Sequence, residues 1–92
     1  MKEGCPTDDE LEELSREIEY WKPLGRRLNF TDAQLTAFHK DNVEWLETAY
    51  AMLRAWKRRE GSAGNYRVLY EALCHSSVGK RDLAQKLCCY SG

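Results

Sequence analysis

The chain has 92 residues, of which 42% are hydrophobic and 32% charged, and its formal net charge is −1. This length suits one compact domain with a single core, and it excludes a catalytic domain that carries a second lobe. The apolar runs are far shorter than the roughly 20 residues that cross a bilayer, and the first six residues do not resemble a signal peptide. We therefore expect one folded domain that does not itself insert into a membrane.

The four cysteines, Cys5, Cys74, Cys88 and Cys89, do not form a recognisable framework. Cys88 and Cys89 are adjacent and do not readily bond to each other, and the sequence contains no CxxC pair or spaced Cys/His set of the kind that holds zinc. We predict free thiols in a reducing cytosol, with no metal ion and no cofactor.

Charge is divided unevenly along the chain. Residues 1–20 contain eight acids and two bases, a net charge of −6, whereas residues 21–92 contain twelve bases and seven acids, a net charge of +5. A nucleic-acid-binding domain with an overall basic surface would not show this division. The pattern instead indicates a domain with two oppositely charged faces.

The first predicted helix begins after Thr7, which forms a capping-box pattern with Glu10. It is expected to end near Glu19. One narrow apolar stripe recurs at helical spacing on this acidic segment: Leu11, Leu14 and Ile18.

Pro23 separates this helix from the next, because proline is tolerated only in the first turn of a helix. The second helix is therefore predicted to begin near Trp21 and to end at Asn29. Its inward residues are Leu24 and Leu28.

The third helix has the clearest start in the chain. Thr31 and Gln34 form a second capping box, and Phe30 and Leu35 have the spacing of a hydrophobic staple. The helix is predicted to extend from Asp32 to His39, with Leu35 and Phe38 facing inward.

The fourth and longest helix is predicted to be capped by Asn42 and to end at Gly61–Gly64, after the basic turn at Lys57–Arg59. Trp45 begins its apolar stripe near the rim and is a candidate contact residue if exposed. The complete stripe is Trp45, Ala49, Met52, Leu53 and Trp56. Trp21 and Trp56 are predicted to belong to the core.

Asn65 is predicted to cap the fifth helix, which the segment 76–79 interrupts before a sixth helix from Lys80 to Cys88. The inward residues of these two helices are Leu69, Ala72, Leu73, Leu83, Ala84 and Leu87. No segment alternates with period two, and the connections are short. The predicted fold is therefore an all-α, six-helix antiparallel bundle without a sheet.

In this order and at this spacing, the segments resemble the death-domain family over about residues 8–88. The resemblance is carried by the following residues: Trp21-Lys22-Pro23-Leu24 with Leu28, Phe30-Thr31-Asp32-Ala33-Gln34-Leu35, Tyr50-Ala51-Met52-Leu53-Arg54-Ala55-Trp56, Glu60-Gly61, Leu69 with Ala72-Leu73, and Arg81-Asp82-Leu83-Ala84 with Leu87. Death domains of receptors, their adaptors and receptor-interacting kinases are closest in pattern. The chain departs from the family at Gly64-Asn65, where Ala-Thr is frequent, and at Asn29, where glycine is common.

The resemblance implies a Greek-key arrangement of helices and a death domain at residues 7–89, with flexible termini at 1–6 and 90–92. It also implies a cytoplasmic, non-enzymatic module that binds other death domains of receptors, adaptors or kinases, and that can oligomerise with copies of itself. Such a module would recruit proteins into complexes for apoptosis or NF-κB and inflammatory signalling.

Two pairs of surfaces are candidates for this binding. In the first pair, the acids of the first helix meet the bases of the second on a neighbouring molecule; they are Asp9, Glu12, Glu13, Lys22, Arg26 and Arg27. In the second pair, the end of the fourth helix meets the start of the sixth, places that the family commonly uses; these residues are Arg58, Arg59, Glu60, Lys80, Arg81 and Asp82.

The sequence has three other interpretations. The same fold occurs in structural and nuclear scaffold proteins, and the bases Lys57–Arg59 suggest a small helical nucleic-acid-binding domain. No base-stacking arrangement accompanies those three bases, so we expect no nucleic-acid partner. Adjacent Cys74 and His75 suggest a catalytic dyad, but neighbours on a helix point about 100° apart, so we expect no catalytic residues.

Overall fold

A computed structural model describes residues 1–89, and within this range it is entirely helical. The six α-helices, in chain order, are α1 (Asp8–Glu17), α2 (Trp21–Arg27), α3 (Asp32–Asp41), α4 (Trp45–Glu60), α5 (Tyr66–Cys74) and α6 (Arg81–Cys88). A short 3-10 turn at Gly61–Ala63 follows α4. No residue from 1 to 89 lies in a strand, and the predicted six-helix, all-α fold is confirmed.

Local capping signals set three of the helix starts. The hydroxyl of Thr7 accepts from the backbone N–H of Glu10 while the Glu10 carboxylate accepts from the Thr7 N–H, and Thr31 forms the same reciprocal pair with Gln34. The side chain of Asn65 accepts from the backbone N–H of Val68, in the first turn of α5. These bonds satisfy N–H groups that have no partner inside their own helix. These three of the four predicted N-caps are confirmed.

The predicted cap of α4 is wrong. Asn42 instead ends α3, where its side-chain amide donates to the carbonyl of Phe38 at 2.9 Å. Helix α3 continues to Asp41, two residues beyond the predicted end at His39. Asn42 therefore lies at the C-terminal end of α3 and not at the start of α4. Glu44 occupies the N-cap of α4 without a side-chain capping bond. The first helix also differs from prediction, because it ends at Glu17 and not near Glu19.

The apolar stripes of all six helices meet in one core. Leu11, Leu14, Met52, Leu53 and Leu73 are fully buried, and the remaining core residues come from every helix of the bundle. Two predicted core tryptophans are confirmed, since Trp21 is 4% and Trp56 1% exposed. Trp45, expected near the rim, is 39% exposed at the first position of α4.

The corner between α2 and α3 is unusually tight. Asn29 has a φ angle of 69°, in the left-handed region that asparagine tolerates better than most residues, and Phe30 N–H donates back to Gly25 at 3.1 Å. Gly25 is buried, and a Cβ at that position would lie 2.5 Å from the Cδ2 atom of Leu35. The corner therefore lets α3 approach the backbone of α2.

The N-terminal segment, residues 1–6, makes specific contacts with the bundle, although we predicted a flexible terminus there. Lys2 N–H donates to the carbonyl of Cys88 at 2.7 Å, and Tyr66 N–H donates to the carbonyl of Gly4 at 3.1 Å. Pro6 is buried. These contacts join the segment to the start of α5 and to the end of α6. The domain boundary at residue 7 stays a prediction, and the expected flexibility of 90–92 lies outside the described residues.

Candidate protein-interaction surfaces

Only part of the acidic face of α1 is available to another molecule. The carboxylate of Asp8 lies 3.3 Å from Lys57 Nζ and 3.9 Å from Arg54 Nη2, both on α4. Asp8 therefore forms ion pairs inside the domain. Glu12 pairs with Arg16 on the same helix at 2.8 Å. The other exposed acids of the helix and its end have no ion pair within residues 1–89: Asp9, Glu13, Glu17 and Glu19.

Glu10 is the one acid of α1 that turns towards the interior. Its carboxylate accepts from Lys2 Nζ at 2.9 Å, from the Thr7 N–H and from the hydroxyl of Tyr66 on α5. Burial alone would raise the pKa of Glu10, but the hydrogen bonds from Thr7, Tyr66 and Lys2 stabilise the charged form and lower this pKa to about 2. Glu10 is therefore a structural residue that joins α1, α5 and the N-terminal segment.

The basic face of α2 consists of Lys22, Arg26 and Arg27, all exposed. Lys22 and Arg26 are four residues apart and lie on the same side of the helix. Arg26 forms an exposed ion pair with Asp32 at the start of α3, at 3.0 Å. Arg27 makes a different contact, a 2.8 Å hydrogen bond from its Nη1 to Nε2 of His75 beyond the end of α5. We name these three bases the α2 basic face.

The sequence pattern did not indicate His75 as a neighbour of this face, because along the chain His75 stands beside Cys74. In the structure both ring nitrogens of His75 are engaged, Nε2 with Arg27 and Nδ1 with Ser77 Oγ at 2.8 Å. An imidazole held by a guanidinium on one nitrogen is poorly placed to accept a proton from a thiol. No Cys74–His75 hydrogen bond is present among the described residues, and the arrangement gives no support for a catalytic dyad.

At the end of α4, the three predicted contact residues have different surroundings. Arg59 is bound internally: it pairs with Glu60 at 2.8 Å and donates to the main-chain carbonyls of Leu28 and Asn29. Arg58 is exposed and has no ion pair in the part of the chain that the structure describes. It borders an open cavity of about 470 Å³ between α3 and α4. Arg58 is thus the member of this group most available to a partner.

The start of α6 carries the matching candidate group. Lys80, Arg81 and Asp82 are all exposed, and together with Glu17 of α1 they border an open cavity of about 410 Å³. No ion pair within residues 1–89 joins this group to the end of α4.

The interior offers little chemistry of its own. The described residues contain no cluster of His, Cys, Asp and Glu able to hold a metal ion. All four cysteines are free thiols, and burial, followed by the neighbouring Cys89 thiol, raises the pKa of Cys88 to about 12. Cys88 is therefore a neutral packing residue at ordinary pH.

The protein is an all-α module with one apolar core. Its distinguishing features are the acidic and basic faces of its surface. Comparison with protein families identifies which module it is. Residues 8–89 match the model of the Death domain family, and the chain belongs to that family. Death domains are interaction modules that bind other death domains and are generally not enzymes. A search of curated proteins gave no match. No helix among residues 1–89 is long and apolar enough to span a bilayer.

Proposed function

We propose that this death domain recruits other death-domain proteins into cytoplasmic signalling complexes that serve apoptosis or NF-κB and inflammatory signalling. The partners are death domains of receptors, adaptors or kinases, and further copies of this chain. The proposal rests on the separation of exposed charge between two consecutive helices. Within residues 1–89, α1 carries exposed acids that form no ion pair, and the following helix carries the α2 basic face.

This charge division favours a head-to-tail contact. The acids of α1 on one molecule complement the α2 basic face of the next, and because the two surfaces differ, each molecule keeps one free surface after pairing. Such a heterologous contact adds molecules successively and builds an open assembly. Complementary charge also accelerates encounter and fixes its orientation.

One such contact is too weak to hold an assembly, because an exposed ion pair contributes about 0–1 kcal/mol. The second pair of surfaces, Arg58 to Glu60 against Lys80 to Asp82, supplies an additional contact in the proposal. In this pairing Arg58 provides the intermolecular charge, since Arg59 and Glu60 are bound to each other. Contacts repeated through an oligomer then add up to a stable complex.

The head-to-tail contact can be tested with two complementary variants. One carries Asp9→Lys and Glu13→Lys and so loses the acidic surface; the other carries Arg26→Glu and Arg27→Glu and so loses the basic one. Each variant retains one intact surface, so neither extends a chain through this contact, but a mixture should form a 1:1 complex. Isothermal titration calorimetry and sedimentation velocity measure this complex.

The matched control reverses two exposed bases outside the candidate surfaces, Lys40→Glu and Arg67→Glu, and should leave association unchanged. Circular dichroism checks that every variant keeps its helices. Failure of the two complementary variants to associate, with both folded, would contradict the electrostatic contact.

The pathway requires a separate experiment. Capture from cell extract by the isolated domain should retrieve receptor, adaptor or kinase death domains, and capture should be lost with Arg26→Glu and Arg27→Glu. Retrieval of cytoskeletal or nuclear scaffold proteins alone would contradict the signalling assignment. So would tight, steeply salt-dependent binding to nucleic acid without a protein partner.

A further inference from the structure

Tyr20 is the most accessible tyrosine in the part of the chain that the structure describes. It is 81% exposed, whereas Tyr66 is 7% exposed and both Tyr50 and Tyr70 pack partly buried against the core. Within residues 1–89 the Tyr20 hydroxyl forms no hydrogen bond, and the residue provides no side-chain cap to the helix that it precedes. The phenol is therefore open to an enzyme that approaches from solvent.

Tyr20 lies in the connection between α1 and α2. Helix α1 ends at Glu17 and α2 begins at Trp21, so residues 18–20 are not helical, and Tyr20 has a φ angle of −93° and a ψ angle of 75°. Ile18 and Trp21, on either side, are 1% and 4% exposed and anchor the connection to the core. A kinase must align the phenolic oxygen with the terminal phosphorus of its nucleotide, which requires a tyrosine that projects from the surface. Tyr20 meets this requirement without contributing to the core.

The charges that precede Tyr20 in the chain favour selection by an enzyme with a basic substrate groove. Glu17 and Glu19 are exposed and form no ion pair within residues 1–89. These two carboxylates stand on the N-terminal side of the tyrosine, within three residues of it. Complementary charge steers an enzyme towards such a segment and orients their encounter.

We propose that Tyr20 is a phosphorylation site for a tyrosine kinase, and that the phosphate weakens the binding of acidic partners to the α2 basic face. In the reaction, the Tyr20 Oη atom forms a bond to the γ-phosphorus of ATP, the bond from that phosphorus to the β,γ-bridging oxygen breaks, and ADP leaves. The phenolic proton passes to a carboxylate base of the kinase. The modification does not depend on the proposed function, whereas its effect on binding rests on it.

The effect on binding follows from the position of the phosphate. Tyr20 borders an open cavity of about 270 Å³ together with Lys22 of the α2 basic face. Phosphorylation adds a charge of about −1.5 to −2, which opposes Lys22 because exposed charges interact over a Debye length of about 8 Å. The contact acids of α1, Asp9 and Glu13, lie two turns and one turn before the end of that helix. The phosphate therefore reduces the positive potential of the α2 basic face more than it adds to the acidic surface.

The modification is tested by incubating the folded chain with ATP and a recombinant tyrosine-kinase catalytic domain that favours acidic substrates. The assay uses a Tyr90→Phe background, because Tyr90 lies outside the described residues, and mass spectrometry of the digested chain locates the phosphate. Tyr20 should be modified at least about tenfold faster than Tyr50, Tyr66 or Tyr70, since these three must first become exposed by local unfolding.

In the same background, Tyr20→Phe should abolish most of the phosphate incorporation. Tyr50→Phe is the matched control, because it removes a partly buried phenol, and it should leave incorporation unchanged. Circular dichroism checks that both variants keep their helices. Equal rates at Tyr20 and at the partly buried tyrosines, or no phosphate on Tyr20, would overturn the site.

The effect on binding is measured with the complementary variants described above, each also carrying Tyr90→Phe. Phosphorylation of the variant that retains the α2 basic face should lower its affinity for the other variant by about two- to tenfold, and a phosphatase should restore it. Phosphorylation of the variant that retains the acidic surface is the matched control and should change affinity by less than about twofold.

Unchanged or stronger binding in the first titration, or an equal loss in the control, would overturn the effect on the α2 basic face. Absence of a complex before phosphorylation would instead contradict the proposed function, while the kinase assay still decides whether Tyr20 is a modification site.

Discussion

The guanidinium of Arg59 lies 4.5 Å from the centre of the Phe30 ring and donates to the main-chain carbonyls of Leu28 and Asn29. Helix α2 ends at Arg27, so the carbonyls at this corner have few partners within their own helix. Arg59, in the last turn of α4, supplies hydrogen-bond donors to these carbonyls. The residue that sequence analysis placed in a partner-binding group thus closes the corner between α2 and α3.

Replacement of Arg59 should destabilise the domain. Arg59→Ala removes two hydrogen bonds to carbonyls and a cation–π contact, and we expect a loss of about 1–3 kcal/mol in the free energy of unfolding, measured by urea denaturation. Arg59→Lys should restore little, because an ammonium lacks the planar fork of donors. Arg58→Ala is the control and should change stability by less than about 0.5 kcal/mol. Equal effects at the two positions would contradict the internal role of Arg59.

The two tryptophans of α4 should differ in their effect on stability. Trp56 is 1% exposed, and Trp56→Ala should cost about 3–5 kcal/mol, which is enough to unfold a domain of this size. Trp45 is 39% exposed, and Trp45→Ala should cost less than about 1 kcal/mol. Thermal unfolding followed by circular dichroism measures both. A mild effect of Trp56→Ala would mean that the observed register of α4 is wrong.

Glu10 should make stability depend on pH in the acidic range. Because the pKa of Glu10 is lowered from 4.5 to about 2 in the folded chain, its contribution is present above about pH 4.5 and is lost as the pH falls towards 2. After allowance for solvent screening, this contribution is about 1–2 kcal/mol. Urea denaturation at neutral pH and at about pH 3 should therefore show a smaller acid-dependent loss for Glu10→Gln than for the unmodified chain.

The matched control for this measurement is Glu13→Gln, which alters an exposed acid of the same helix. It should retain the acid-dependent loss of the unmodified chain. Identical pH profiles for the two variants would show that the hydrogen bonds from Lys2 and Tyr66 do not stabilise the Glu10 carboxylate.

Gly25 should be sensitive to the addition of a single methyl group. The Cβ of Gly25→Ala would lie 2.5 Å from Leu35 Cδ2, and Leu35 is only 1% exposed and so has little room to move. We expect the clash to outweigh the better helix propensity of alanine and to cost about 1–3 kcal/mol. In a double-mutant cycle with Leu35→Ala, the double variant should lose less stability than the sum of the two single losses, because Leu35→Ala removes the atom that clashes. Strict additivity would contradict this contact.

The sequence predicted the helices well where the signal is local. Thr7, Thr31 and Asn65 cap their helices as expected, because a cap depends on groups within about three residues. The prediction for Asn42 was wrong for a related reason. Asparagine satisfies the end of one helix as readily as the start of the next, and only the length of α3 decides between them.

The candidate surfaces were less accessible to sequence reasoning. Exposed acids and bases could be located from the helical stripes, since whatever does not face the core faces solvent. The partners of these charges within the folded chain could not be predicted from the sequence. Asp8, Arg59 and Glu60 look like free surface charges in the sequence, yet each is engaged in the folded chain. Whether the remaining charges contact a partner stays a prediction.

By itself, the sequence determined the six α-helices, three of their capped starts and most residues of the core, because helical periodicity and capping act over a few neighbouring positions. Tertiary structure alone decided which polar groups meet across the chain: Arg59 with Asn29 over 30 residues, Arg27 with His75 over 48 and Tyr66 with Glu10 over 56. These contacts depend on how packed helices align. No local pattern encodes that alignment, since it is set by the shared core beneath them.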